Sequence, residues 1–169
     1  LEIGVAHVYM EKFDSWDTDD MKSYIVEGRD DRIFAIAELL RRGISSSEIC
    51  KLTAINEYFI EMLENIVDIE NELREHRNDV ARLRIAKQYG FSDAEIARLW
   101  NMPEAQVWRL REAVELFPTY DMIDSCAASK DAYVPYFYST FNDSGNTHIA
   151  DSGRRKVVVL GSGPIRIGQ

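Results

Sequence analysis

The chain has 169 residues, and its 46% hydrophobic and 29% charged residues are typical of a globular rather than a disordered protein. Its 29 acidic and 20 basic residues give a formal net charge of −9, which argues against a protein that binds nucleic acid by neutralising phosphates. Apolar runs too short to cross a bilayer, together with two cysteines, Cys50 and Cys126, outside any metal-site spacing, predict a protein of the reducing cytoplasm.

Residues 30–116 follow a helical pattern that is rich in Leu, Ile, Ala, Glu and Arg. Two capping signatures set the phase of the helices. In "GISSSEICKL" Ser45 is expected to cap a helix with Glu48 three residues on, and in "GFSDAEIARL" Ser92 and Glu95 repeat the arrangement. The pattern therefore predicts several short helices rather than one long one.

This helical region contains an internal repeat with an offset of 47 residues. Gly43 and Gly90, which suit the left-handed position at a helix end, define the offset. Identical pairs recur at Ser45/Ser92, Glu48/Glu95, Ile49/Ile96, Leu52/Leu99, Glu57/Glu104 and Leu63/Leu110. Pro103 fits the first position of the last helix in the second copy. The sequence thus predicts two similar three-helix units joined by "NELREHRND", residues 71–79.

The stretch "FSDAEIARLWNMPEAQVWRLREA" also has the pattern of a helix-turn-helix, whose second helix would enter the major groove. A groove-reading element needs cations to face the phosphates. Residues 90–116 carry a net charge of −2, and residues 43–69 contain five acidic residues against Lys51 alone. A nucleic-acid-binding module is therefore the alternative function rather than the favoured one.

Aromatic residues supply the candidates for interaction. Trp100 and Trp108 lie in amphipathic helices, where they are expected to be either core residues or contacts for a partner. After Pro118 the helical period ends, and "TYDMIDSCAASKDAYVPYFYSTFND" is predicted to be an irregular arm that covers the core or contacts another domain. The interface candidates are Trp100, Trp108, Tyr133, Tyr136, Phe137 and Tyr138.

No catalytic or metal-binding residue is predicted. Cys126 has no neighbouring base and is expected to be a small packed thiol. The three histidines, His7, His76 and His148, are too widely separated in sequence to indicate a metal cluster.

The last segment, "KVVVLGSGPIRIGQ", is predicted to be a β-strand that enters a glycine-rich loop. Its glycine spacing departs from the dinucleotide-binding fingerprint, and an anion site on its backbone amides would need a following helix. The loop residues are Gly161, Gly163, Pro164 and Gly168.

Taken together, "IDSCAASKDAYVPYFYSTF" and "KVVVLGSGPIRIGQ" closely resemble the large subunit of carbamoyl-phosphate synthetase. "GFSDAEIA" and "DRIFAIAELLRRGISSSEICKLTAI" are similar to its central helical oligomerisation domain, and "LEIG" is similar to the end of its first synthetase unit. Ser129, Lys130 and Ile165 depart from the family pattern. The resemblance implies the end of the first synthetase unit over residues 1–10, a helical oligomerisation domain over 11–152, and a truncated start of the second synthetase unit over 153–169.

The implied fold is mainly α, with two similar multi-helix units, an aromatic C-terminal arm and one terminal strand. The implied parent enzyme is a ligase of arginine and pyrimidine biosynthesis, which makes carbamoyl phosphate from bicarbonate, ATP and ammonia and uses magnesium or manganese. Its catalytic groups have no counterpart in this sequence, where only Gly161, Gly163, Pro164 and Gly168 match a loop of the second unit. We therefore expect no activity and no bound cofactor in this chain. The expected partners are a second large subunit, the flanking synthetase units and the glutaminase small subunit, but neither nucleic acid nor a membrane.

Overall fold

The structure is a computed structural model that describes residues 5, 7–122, 137–142 and 153–158. The predicted mainly α fold is confirmed, because seven α-helices and only two short strands are found among these residues. After a 3₁₀ turn at Glu11–Phe13, the helices are α1 Thr18–Val26, α2 Arg32–Arg41, α3 Ser46–Thr53, α4 Glu57–Glu75, α5 Val80–Gln88, α6 Asp93–Trp100 and α7 Glu104–Ala113. None of these helices is long and apolar enough to span a membrane.

The 47-residue repeat is present in the structure. Helices α3 and α6 begin at Ser46 and Asp93, and α4 and α7 begin at Glu57 and Glu104, with the same offset in both pairs. Left-handed backbone positions recur at that offset as well, at Gly43 and Gly90 and at Ala54 and Asn101. The prediction of two similar three-helix units is therefore confirmed, with α2–α4 as the first unit and α5–α7 as the second.

Both predicted serine caps form. The Oγ of Ser45 accepts a hydrogen bond from the backbone N–H of Glu48 at 3.3 Å, and the Oγ of Ser92 accepts one from that of Glu95 at 3.1 Å. The carboxylate of Glu48 forms an ion pair with Lys22 at 2.7 Å. In each signature the serine thus acts as the N-cap, whereas the glutamate side chain contacts a basic residue.

We expect Ser45→Ala and Ser92→Ala each to lower the free energy of unfolding by about 1 kcal/mol, because each removes the side-chain acceptor of one N–H in the first helical turn. Urea denaturation followed by circular dichroism measures both changes. Ser46→Ala, in the same turn as Ser45, is the control and should change stability by less than ~0.5 kcal/mol. An equal loss in all three variants would contradict the capping role.

Three boundaries differ from the prediction. Helix α4 continues to Glu75, so that the connection between the units shortens to residues 76–79. It continues because Leu73, near its end, is fully buried. Pro103 is the N-cap of α7, with extended backbone, rather than its first helical residue. Helix α1 lies before the predicted region, and its buried Met21, Tyr24 and Ile25 attach it to the first unit.

The two units have separate apolar cores that share α4. Ile60 and Val67 of α4 belong to the first core, together with the buried residues of α1, α2 and α3. Leu73 of α4 belongs to the second core, and Ile66 and Ile69 pack against it. Helix α4 therefore contributes apolar side chains to the cores of both units.

The described part of the predicted irregular arm contains a two-stranded antiparallel sheet, so that the prediction is wrong there. Strand β1, Thr119–Met122, pairs with β2, Phe137–Thr140, and Thr119 lies opposite Thr140. Aromatic and β-branched residues favour such cross-strand pairs. Residues 153–158, which include the start of the predicted terminal strand, form no strand. The rest of that segment lies outside the described residues.

Candidate interaction site

A buried polar cluster lies where the N-terminal segment meets both units. The Nε2 of His7 is 3.0 Å from Glu70 of α4 and 3.9 Å from Glu95 of α6. The ring of His7 also contacts that of Phe91, at 4.5 Å between centroids. His7, Glu70 and Glu95, together with Arg41, Arg74 and Arg98, form what we call the seam cluster.

Three arginines neutralise the two carboxylates of the seam cluster. Arg41 donates two hydrogen bonds to Glu70, at 2.7 and 2.8 Å, and Arg74 donates a third at 3.1 Å. Arg98 donates two to Glu95, at 2.9 and 2.5 Å. Burial alone would raise the pKa of Glu70, but the hydrogen bonds from Arg41 and His7 lower it to about 2.

The seam cluster has the spacing of a metal site but not its electrostatics. One donor atom from each of His7, Glu70 and Glu95 lies within 4.8 Å of the others. However, guanidinium groups already occupy both carboxylates, so that their oxygens are not available as ligands for a further cation. Arg41 also donates to the carbonyl of Val8 at 2.7 Å. The arrangement therefore serves to hold the N-terminal segment against both units.

Sequence reasoning missed this cluster, because 63 residues separate His7 from Glu70. A local signal was present: Glu70 stands three residues after Val67 and three before Leu73, on the buried side of α4. An acidic residue at such a position indicates a buried charged partner.

A second ionic cluster attaches the small sheet to the second unit. Asp93 binds Lys87 at 3.0 Å and Arg111 at 2.7 Å. Although burial would raise the pKa of Asp93, the hydrogen bonds from Arg111 and Lys87 lower it. The ring of Phe141, just after β2, lies 4.8 Å from the Lys87 ammonium and 5.5 Å from the Arg111 guanidinium. Phe141 therefore anchors the sheet.

The two candidate tryptophans differ in how far they are exposed. Trp100 is only 1% exposed, and its indole N–H donates to the carbonyl of Leu73 at 2.8 Å. It is a core residue rather than an interface residue, because its ring fills the space between α4 and α6. Trp108 is 48% exposed, with its ring 6.4 Å from that of Phe117. Only Trp108 of the pair is accessible to a partner.

Of the predicted aromatic arm, Phe137 and Tyr138 lie in β2 with exposed side chains, on opposite faces of the sheet. Tyr120 of β1 is also exposed and lies on the same face as Phe137. We call Trp108, Phe117, Tyr120 and Phe137 the aromatic strip. The candidates Tyr133 and Tyr136, and the loop residues Gly161, Gly163, Pro164 and Gly168, lie outside the described residues.

Further exposed apolar side chains, on α4 and α5, were not predicted. They are Tyr58, Phe59 and Met62 near the start of α4, Ile85 in α5 and Tyr89 just after α5. The sequence analysis did not single out these residues, since helical spacing alone does not tell a buried face from an exposed one.

In the alternative function α7 would enter the DNA major groove, but one of its arginines is buried and cannot contact a phosphate. Arg111 of α7 is buried, and it binds Asp93 and the carbonyl of Leu116. Arg109 is exposed on α7 between the exposed acids Glu104 and Glu112. This charge distribution disfavours contact with phosphates.

A helical body of two similar units that leaves separate apolar surfaces exposed is characteristic of a protein-interaction domain. A family model, described as the oligomerisation domain of the carbamoyl-phosphate synthetase large chain, matches residues 1–115. The chain belongs to this family.

Proposed function

We propose that this chain is a non-catalytic scaffold of the carbamoyl-phosphate synthetase large chain, through which large chains self-associate. The observation that carries the proposal is the exposure of large apolar side chains on a folded helical body of the oligomerisation family. Apolar patches of this kind gain free energy when a partner covers them.

The same scaffold is proposed to join the two synthetase units of the large chain. Residues 7–10 are held by the seam cluster, through His7 and the carbonyl of Val8, so that the segment leading from the first synthetase unit is tied to both helical units. After the helices, the aromatic strip is proposed to contact the adjacent synthetase unit, with Phe141 anchoring the sheet that carries Tyr120 and Phe137.

In this proposal the flanking units carry the chemistry. They would make carbamoyl phosphate in the cytoplasm, using ATP, magnesium, bicarbonate and ammonia from a glutaminase small subunit, for arginine and pyrimidine synthesis. The seam cluster takes no part in that chemistry, since its carboxylates are bound by arginines. Its contribution is mechanical attachment.

Light scattering on size-separated chain tests the self-association. Over a ~100-fold range of concentration we expect one discrete, reversible dimer or tetramer, because mass action governs the equilibrium. The oligomer should persist in ~0.5 M salt, since salt screens surface charges but not apolar burial. A monomer at every concentration would contradict the proposal.

A further inference from the structure

A polar cavity lies between the small sheet and the second unit. It has a volume of about 310 Å³ and is formed by the end of α5, the turn between α5 and α6, and the end of β2. We call it the sheet cavity, and its lining includes Lys87, Gln88, Ser92, Ser139, Thr140 and Phe141. A volume of this order is at the lower end of the range of ligand-binding pockets, which suits a small molecule or ion.

Positive charge exceeds negative charge at the sheet cavity. Lys87, which lines it, is 8% exposed, and Arg111 is 5% exposed. Among the described residues only one carboxylate, that of Asp93, forms an ion pair with either of them, at 3.0 Å and 2.7 Å. The ring of Phe141 offsets part of the excess through its contacts with both cations. Because a buried charge is costly without a counter-charge, this arrangement favours the binding of an anion.

The residues that line the sheet cavity also carry hydrogen-bond donors that no described residue uses. The ammonium group of Lys87 has three N–H donors but only two acceptors among the described residues. The hydroxyl oxygens of Ser92 and Thr140 each accept a backbone N–H, which leaves both O–H groups available to donate. The side chains of Gln88 and Ser139 form no hydrogen bond with any described residue. Donors on five different side chains suit a ligand with several oxygens.

We propose that the sheet cavity binds a phosphate group, carried by inorganic phosphate or by a small phosphate ester. The oxygens of a phosphate point in tetrahedral directions and accept hydrogen bonds from several sides, whereas the two oxygens of a carboxylate lie in one plane. The negative charge of the phosphate compensates the excess at Lys87 and Arg111. A ligand that contacts both α5 and β2 also holds the sheet against the second unit. The site is separate from the exposed apolar surfaces of the proposed self-association.

Titration of the full chain with inorganic phosphate, followed by amide NMR resonances, tests the site. We expect saturable shifts centred on Ser92 and Ser139, with a dissociation constant of about 1 mM or below. Sodium chloride at the same ionic strength should not reproduce these shifts, and acetate should bind at least ~10-fold more weakly. Glycerol phosphate identifies the carrier: tighter binding than inorganic phosphate indicates an ester, and weaker binding indicates the free ion. Shifts that do not saturate and that chloride reproduces would mean an adventitious ion only and would overturn the proposal.

Substitutions in the lining identify the groups that bind. Ser139→Ala should raise the dissociation constant for phosphate about 10-fold, because it removes one hydrogen bond to a charged ligand, and Lys87→Gln should raise it by at least as much. Lys51→Gln is the matched control: Lys51 is exposed on α3 and forms no ion pair with a described residue, so its variant loses the same charge and should stay within ~2-fold. Equal weakening by the two lysine variants would show that only the overall charge matters, and the site would be wrong.

A carboxylate placed in the cavity tests the excess of positive charge without any ligand. Ser139→Asp should raise the melting temperature by about 2 °C relative to Ser139→Asn, its uncharged counterpart, although neither residue favours a strand. Ser139→Asp should also weaken phosphate binding more than ~10-fold, since it occupies the site with a like charge. A melting temperature that is lower for Ser139→Asp than for Ser139→Asn contradicts the charge excess and overturns the proposal. The light-scattering result is independent of these outcomes, so that failure here leaves the proposed self-association standing.

Discussion

Replacing Trp100 with alanine is expected to lower the free energy of unfolding by about 3–5 kcal/mol, a loss large enough to unfold much of the second unit at room temperature. The indole is 1% exposed at the centre of the second core, and its N–H satisfies the carbonyl of Leu73. The variant loses the apolar contacts, leaves a cavity and removes the donor from a buried carbonyl. Urea denaturation followed by far-ultraviolet circular dichroism measures the loss.

The second tryptophan provides the matched control. Trp108 lies eight residues further on and is 48% exposed, so Trp108→Ala should cost about 1 kcal/mol or less. Trp100→Phe keeps most of the ring but not the N–H, and an intermediate loss of about 1–3 kcal/mol is expected for the unpaired carbonyl. Equal destabilisation by the two alanine variants would show that Trp100 is not the core residue described above.

The seam cluster is expected to make the chain sensitive to acid. The pKa of Glu70 is lowered from 4.5 to about 2 in the folded chain, so that its ionised form favours folding. This contribution, about 3 kcal/mol, is fully present above pH ~4.5, where the unfolded carboxyl is also ionised, and is lost as pH falls towards 2. Urea denaturation at a series of pH values between 7 and 2 measures the decline.

Glu70→Gln identifies the group responsible. Removing the carboxylate leaves the guanidinium of Arg41 buried without its main partner, which should cost about 3–5 kcal/mol at pH 7. The part of the acid dependence that belongs to Glu70 should disappear. Glu72→Gln is the control two residues away, because Glu72 is exposed and its ion pairs should contribute less than ~1 kcal/mol. An unchanged pH profile in Glu70→Gln would refute the assignment.

The seam cluster also bears on how the chain would work as a scaffold. His7 and Val8 precede the helices, yet they bind Glu70 and Arg41 in the interior of the helical body. A movement of the N-terminal segment would therefore be transmitted to both units instead of being absorbed by a loose connection. The acid and glutamine experiments probe this attachment directly.

Features that depend on neighbouring residues were predictable from the sequence. The serine caps at Ser45 and Ser92, the left-handed glycines at Gly43 and Gly90, and the repeat that they mark all appear in the structure. Each of these is decided within about one helical turn, because a cap binds a backbone N–H only two or three residues away. The resemblance to the carbamoyl-phosphate synthetase large chain could likewise be recognised from short motifs, and the family match over residues 1–115 confirms it.

The pairing of β1 with β2 could not be predicted from either segment of the sequence alone. Thr119 and Thr140 pair although they are 21 positions apart in the sequence, and no motif in either strand identifies the other as its partner. Aromatic residues such as those of β2 favour extended backbone, but an extended segment becomes a strand only when a neighbour supplies hydrogen bonds.

By itself, then, the sequence determined the helical character of residues 30–116, the two serine caps, the repeat and the family of this protein. Only the tertiary structure decided which of Trp100 and Trp108 is buried, that His7 meets Glu70 and Glu95, and that Phe59 remains exposed. The physical reason is the range of the interactions. Helical periodicity and capping act over a few residues, whereas burial and ion pairing depend on which distant segment lies across the fold.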